Sequence, residues 1–191
     1  MEMNIQVVRA THEHEKYSKD ISDMIYEASK NKGAGLAQRS PNYILNKIRE
    51  GKSVIAFVND ILAGFCYIET WQHNMFVANS GLIVSSDFRG LGIAKKIKEE
   101  AFALSRDLYP DAKLFGLTTS EAVMKINSGL GYRPVSYSKL TEDDAFWKGC
   151  ETCANYDILQ RMNRKICLCT GMVYNPEEHN DSSEKNNNNK K

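Results

Sequence analysis

The sequence contains no apolar run approaching the roughly 18 residues that a transmembrane helix needs. Its first residues, Met-Glu-Met-Asn, lack the basic and apolar regions of a signal peptide, so a cytoplasmic protein is expected. Charge of one sign is also missing: 25 basic residues stand against 24 acidic ones, for a formal net charge of +1. That balance gives no strong electrostatic reason to expect nucleic acid or an anionic membrane as partner. No Gly-Lys-Ser/Thr occurs, which excludes a P-loop, and no Ser/His/Asp pattern of nucleophilic hydrolases stands out.

At 191 residues and 42% hydrophobic, the chain suffices for one substantial core and is too short for two. Its most informative stretch runs from Asn79 to Lys98. Leu82-Ile83-Val84 has the β-branched bias of a buried strand. Arg89-Gly90-Leu91-Gly92-Ile93-Ala94 follows, and then Ala94, Ile97, Ala101, Leu104 and Leu108 repeat on one helical face. The glycines therefore sit where a strand hands over to a helix. There the first backbone N–H groups lack intrahelical acceptors and the helix dipole adds positive charge. Glycines admit a bulky phosphate to the main chain, so a pyrophosphate site is predicted. The dinucleotide fingerprint does not fit, because it needs three glycines after the first strand of a βαβ unit and this loop has two, mid-chain.

The rest of the chain reads as alternating elements. Ile5 to Arg9 is a first strand, and Thr11 caps a helix carrying Tyr17, Ile21, Met24, Ile25 and Ala28. Gly33 to Pro41 is a loop, followed by a helix with Ile44, Leu45 and Ile48. Val54 to Val58 and Ile61 to Glu69 are central strands joined by an Asn59-Asp60 hairpin turn. Thr70 to Phe76 is a connection, and Val77 to Val84 is the next strand. After Tyr109-Pro110-Asp111, Leu114 to Thr119 is a strand. Ser120 then caps a helix with Ala122, Val123, Ile126 and Leu130 on its apolar face, ending in Leu130-Gly131-Tyr132-Arg133-Pro134.

Arg89, Gly92 and Ala94 match the [R/Q]-x-x-G-x-[G/A] signature, and with the Leu-Gly-Tyr ending they make the chain resemble the GNAT acyltransferase superfamily over roughly Ile5 to Leu140. The resemblance implies an α/β (α+β) fold with a mixed, mostly antiparallel central sheet and helices on both faces. It implies acetyl-CoA as co-substrate, with the pyrophosphate on the loop from Arg89 to Ala94 and the pantetheine arm along the backbone of Leu82, Ile83 and Val84. It implies transfer of an acyl group, usually acetyl, to a primary amine. The loop after the first helix is where relatives build the acceptor pocket, which makes Arg39 a candidate clamp for a substrate carboxylate, the alternative being a solvated loop arginine.

Direct transfer needs removal of an ammonium proton and protonation or stabilisation of a thiolate. Glu69, at the end of a buried strand, is the first choice of base, since burial raises a carboxyl pKa; His73 is the second. The acid is where the chain departs from its relatives. Many of them carry a tyrosine where this chain has Asn127, which donates a hydrogen bond but has no acidic proton. Tyr132 and Tyr137 are fallback donors, with packing as the simpler reading of Tyr132.

The expected organisation is a core over residues 1–140, a strand and cysteine-rich extension packed on it over 141–175, and a disordered tail over 176–191. Within the extension, Cys150-x-x-Cys153 and Cys167-x-Cys169 could form a Cys₄ site for structural zinc, with Asn155 to Leu159 as a strand between the pairs. Unmetallated thiols in a packed hairpin, or a redox pair of Cys150 and Cys153, are the alternatives. Cys66 sits in an apolar strand as core. The acceptor expected is a small amine, glutamate-like; protein N-termini or lysines are the alternative, and a non-catalytic acyl-CoA sensor or interaction module is the non-enzymatic one. A homodimer is left open.

Overall fold

The computed structural model describes residues 3–179. Seven strands form one sheet in the order β1-β2-β3-β4-β5-β7-β6. They are β1 (Ile5–Arg9), β2 (Ser53–Val58), β3 (Ile61–Trp71), β4 (Phe76–Val84), β5 (Lys113–Thr118), β6 (Arg133–Val135) and β7 (Thr170–Tyr174). Only β4 and β5 run parallel; the other neighbours are antiparallel. The expected mixed, mostly antiparallel sheet is therefore present.

Every residue of β2 is buried and β3 is buried from Ala63 to Ile68, which is why both read as continuous apolar runs. Asn59 and Asp60 both take positive φ, 47° and 64°, as a two-residue hairpin turn requires. Helices α1 (Ser18–Ser29) and α2 (Pro41–Arg49) cover one face, packing Ile21, Ile25, Ile44 and Ile48 on Ile55, Phe57, Phe65 and Tyr67. Helix α3 (Ile93–Leu108) covers the other, with Ile93, Ile97, Ala101 and Leu104 against Val54, Ala56, Cys66, Ile68 and Val77. Helix α4 (Glu121–Gly129) starts on Ser120, whose side chain accepts from the Val123 N–H.

Two features of the sheet build the site. The β4–β5 ladder joins Phe76–Ala78 to Lys113–Phe115 and stops there. Beyond it β4 stays on β3, while β5 stays on β7. The two strands part in a V whose crotch is at Asn79. In β4 the register slips opposite Phe65 to Tyr67, at Gly81. Gly81 has φ of +63°, and a Cβ there would stand 2.4 Å from the Tyr67 ring, so only glycine permits this bulge.

The cysteine-rich segment is built differently from the expectation. Its last strand, β7, lies between β5 and β6, so the segment completes the sheet that it was expected to pack upon. What precedes β7 is a long insertion between β6 and β7 that carries α5 (Asp144–Lys148) and α6 (Tyr156–Arg161). The strand expected over Asn155 to Leu159 is largely helix α6, because those residues do not alternate and the Asn155 carbonyl accepts from the Ile158 and Leu159 N–H groups. The insertion seats Tyr137, Leu140, Trp147 and Leu159 in a third apolar cluster with Ala78 and Phe115. Residues 176–179, expected to begin the tail, form a helical turn with His179 stacked on Tyr174 at 4.4 Å; the remainder of the expected tail lies outside the described residues. Among the described residues no helix is long and apolar enough to cross a membrane.

Candidate active site

The glycine loop lies as expected at the start of α3. Gly92 is the N-cap, no side chain caps the helix, and Gly90 and Gly92 hold φ of 82° and 74°. A Cβ at either glycine would meet no atom within 4 Å, so the main chain there faces open space. An uncapped N-terminus of a 16-residue helix behind two glycines in the left-handed region fits a pyrophosphate. Arg89 is exposed beside it and Ile93 is buried, anchoring the helix start.

A separate cavity of ≈ 560 Å³ opens at the V. Its walls come from the loop of residues 34–40, the ends of β3 and β5, the parted stretch of β4 and the β6–β7 insertion. Glu69 reaches it from β3. Its carboxylate accepts from Lys47 Nζ at 2.6 Å and from the Tyr43 hydroxyl in a short bond. Burial pushes the Tyr43 phenol up, helped by the neighbouring Tyr67 and the bond to Glu69, so it stays protonated and donating. Lys47 was missed in the sequence reading, although it shares a helical face with Ile44 and Ile48 and its side chain is only 8% exposed.

Arg39 also faces this cavity. Its Nε donates to the Tyr67 hydroxyl at 2.8 Å, and Nη1 donates to the carbonyls of Gln38 at 2.8 Å and Gly149 at 3.2 Å. All these acceptors are neutral. The bond to Gly149 joins the loop to the insertion, as does the Thr152 hydroxyl donating to the Gln38 carbonyl. His73, the second candidate base, is elsewhere: β3 continues to Trp71, and residues 72–75 turn the chain so that His73 is exposed with φ of 54°. That turn anchors the insertion, since Gln72 Oε1 accepts from the Thr141 hydroxyl and the Glu142 N–H.

Asn127 lines the cavity and is the sole buried residue of α4 among those described. Its Nδ2 meets Met172 Sδ at 3.7 Å, while its Oδ1 has no donor among the described residues. Tyr132 is buried behind the cavity and gives its proton to Asn79 Oδ1 at 3.0 Å. The Tyr137 hydroxyl gives its own to the Cys169 carbonyl at 2.7 Å. Both fallback phenols thus donate to protein oxygens.

Cys150, Cys153, Cys167 and Cys169 all line the cavity as free thiols. The expected zinc site is absent: among the described residues no group of three or more His, Cys, Asp or Glu could hold a metal ion. Burial, and then mutual proximity, pushes the Cys150 thiol up to about 11 and that of Cys169 to about 12. Both stay protonated at neutral pH, which is the less reactive form.

The acetyltransferase (GNAT) family profile matches residues 21–123, more than half of the chain. The chain belongs to the GNAT acetyltransferase family, whose acyl donors are carried on coenzyme A. No curated protein matches it. Among solved structures it is similar to N-acetylglutamate synthase from Neisseria gonorrhoeae with coenzyme A and N-acetyl-glutamate, at TM-score 0.64 and 18% identity. That match covers 92% of this chain and 36% of the synthase, so this chain spans about a third of its length. It is also similar to Rv2747 from Mycobacterium tuberculosis, in complex with CoA, at TM-score 0.65 and 15% identity, covering 89% of this chain and 98% of that one. Phosphinothricin acetyltransferase from Sinorhizobium meliloti, in complex with AcCoA, matches at TM-score 0.60 and 12% identity, covering 92% and 89%. At these identities the likeness is one of fold.

Proposed function

We propose that the chain transfers acetyl from acetyl-CoA to the amino group of a small, carboxylate-bearing amine of the amino-acid class, with a glutamate-like acceptor as the specific reading. The observation that carries it is Arg39, a mostly buried guanidinium that faces the cavity and feels the Glu69 carboxylate, yet whose hydrogen-bond acceptors are all neutral. Among the described residues no carboxylate is hydrogen-bonded to this guanidinium, which leaves a charge-assisted pair open to an acceptor carboxylate. The roof formed by the insertion supports a small acceptor over a protein terminus or a lysine side chain.

When bound, acetyl-CoA supplies the acetyl thioester. Gly90, Leu91, Gly92, Ile93 and Ala94 would hold its pyrophosphate, and the parted edge of β4 from Asn79 onward would take the amide-rich arm as an added strand takes a sheet edge. Arg39 orients the acceptor. Glu69, already gathering donors from Lys47 and Tyr43, receives the proton of the acceptor ammonium. The test is thiol release from acetyl-CoA with a panel of amino acids, their decarboxylated amines, polyamines and peptides. Turnover confined to carboxylate-bearing amino acids is expected; equal turnover of the decarboxylated amines would overturn the reading.

A further inference from the structure

Lys98 lies in the middle of α3 and is 2% exposed, yet it reaches the cavity at the crotch of the V. Its Nζ donates to Asn79 Oδ1 at 3.3 Å and stands 5.5 Å from the centre of the Tyr132 ring. Asn79 is held in place from both sides, with Nδ2 donating to Ser105 Oγ at 2.9 Å and Oδ1 also accepting from the Tyr132 hydroxyl. The titratable groups facing Lys98 are the Cys66 thiol from β3 and the Tyr132 phenol behind α4; no carboxylate pairs with it among the described residues. Two of its three N–H donors are thus uncommitted, in a cavity wall shared with Ser80 and Asn127.

A lysine costs several kcal/mol to bury charged, so a buried, unpaired one inside an apolar stripe calls for a reason. Hydrophobic packing is not the reason, since Ile97 and Ala101 flank it in the same stripe and fill the core without a charge. We propose that Lys98 is the general acid of this enzyme, donating its proton to the coenzyme A sulfur as the thioester breaks. The proposal rests on the acetyl-transfer reading above and supplies the function that Asn127 lacks the chemistry for. The acceptor nitrogen forms the new C–N bond as the C–S bond breaks with its electron pair going to sulfur. Nζ of Lys98 passes a proton to that sulfur, leaving a neutral amine. The acceptor ammonium gives one proton to Glu69 before attack and the nitrogen gives a second to water as the amide forms; Glu69 then releases its proton to solvent, and Lys98 takes one back before the next turnover.

The surroundings suit this task. Burial lowers the proton affinity of Lys98 from the ordinary lysine range, which makes its ammonium a readier proton donor. Tyr132 cannot compete, because burial drives its phenol far up and its proton is held by Asn79. The orphan Oδ1 of Asn127 provides an acceptor for the thiol hydrogen once it forms.

The test uses Lys98→Met, which keeps the side chain's length and removes the charge. Coenzyme A itself is bound to each protein and its thiol titrated by ultraviolet thiolate absorbance. Beside the Lys98 ammonium the bound thiol is expected to ionise at least about tenfold more readily than free coenzyme A, and the shift should vanish in Lys98→Met. In turnover, Lys98→Met should lower kcat about 100-fold, with the KM for acetyl-CoA changed less than about threefold. A fall in kcat with rising pH is expected of the wild type as Lys98 loses its proton, and Lys98→Met should abolish it. Thermal melting guards against misfolding: an equal or higher Tm is expected, because a buried charge has been removed. Identical thiol titrations in the two proteins, or an alkaline limb retained in Lys98→Met, would overturn the role of Lys98 alone. Failure of the wild type to bind coenzyme A would overturn the acetyl-CoA reading with it.

Discussion

The glycine loop joins the end of β4 to the start of α3, whereas the cavity opens beside the middle of β4, and the two are made in opposite ways. The loop is six consecutive residues, Arg89 to Ala94, using main-chain N–H groups and two glycines. The cavity draws side chains from α2, β3, β4, α3, α4, a loop and an insertion that joins the sheet only at its end. A feature of the donor is the same in every acyl-CoA, so backbone suffices to hold it. In the proposed reading the acceptor and the proton transfers need individual charges, and the cavity offers Arg39, Glu69 held by Lys47, and Lys98, brought together across roughly sixty residues of sequence.

The comparison breaks most visibly at Gly92. A Gly92→Val change puts a branched side chain at φ of 74° and fills the open cradle, and acetyl-CoA affinity should fall about 100-fold or more, ~2.7 kcal/mol. Calorimetry checks it. Wild-type affinity in the variant would remove the basis for a pyrophosphate on this loop.

The acceptor side responds to Arg39→Met. The KM for a carboxylate-bearing acceptor should rise about 10- to 100-fold, since hydrogen bonds to charged groups contribute ~1.5–3 kcal/mol, while acetyl-CoA affinity stays put. Steady-state kinetics with each substrate varied in turn separates the two. A change in acetyl-CoA affinity of the same size would merge the sites that the comparison separates.

The smallest effect concerns the thiol wall. Cys150 and Cys169 have folded pKa values of about 11 and about 12, above the ~8.5 of an unfolded thiol. The folded state therefore binds more protons than the unfolded one between those values, so stability is full below pH ~8.5 and is lost as pH rises towards 11 to 12. The loss is at most ~1.4 kcal/mol per pH unit for each thiol. Urea unfolding at pH 7 and pH 10 should show a larger drop for wild type than for a Cys150→Ala/Cys169→Ala variant. Equal drops would show the thiols ionising freely and would take them out of the buried wall.

Much of the fold was legible because its signals are local. Continuous apolar runs marked β2 and β3, Asn59-Asp60 marked their turn, and the stripe of Ala94, Ile97, Ala101, Leu104 and Leu108 marked α3, although Ile93 is buried and Leu108 is exposed where the helix ends. His73 was misplaced because nothing local shows that β3 extends to Trp71 before turning. The cysteines were misread for a related reason. Paired spacing suggests a metal, whereas the chain spreads these thiols along a cavity wall shaped by α5, α6 and an aromatic cluster. Lys47 and Lys98 do carry a local signal, a charged residue inside an apolar helical stripe rather than on a solvated face.

By itself the sequence determined the family, the strand–glycine loop–helix junction and the asparagine at position 127, because each depends on neighbours a few residues apart. Tertiary structure alone decided that Arg39 faces a cavity with neutral hydrogen-bond acceptors, that Glu69 meets Lys47 and Tyr43, and that the insertion carrying the cysteines walls the same cavity. It also decided that Lys98 is buried without a counter-ion. The charge state and reach of a side chain depend on what packs around it from distant parts of the chain, and spacing in sequence does not carry that information.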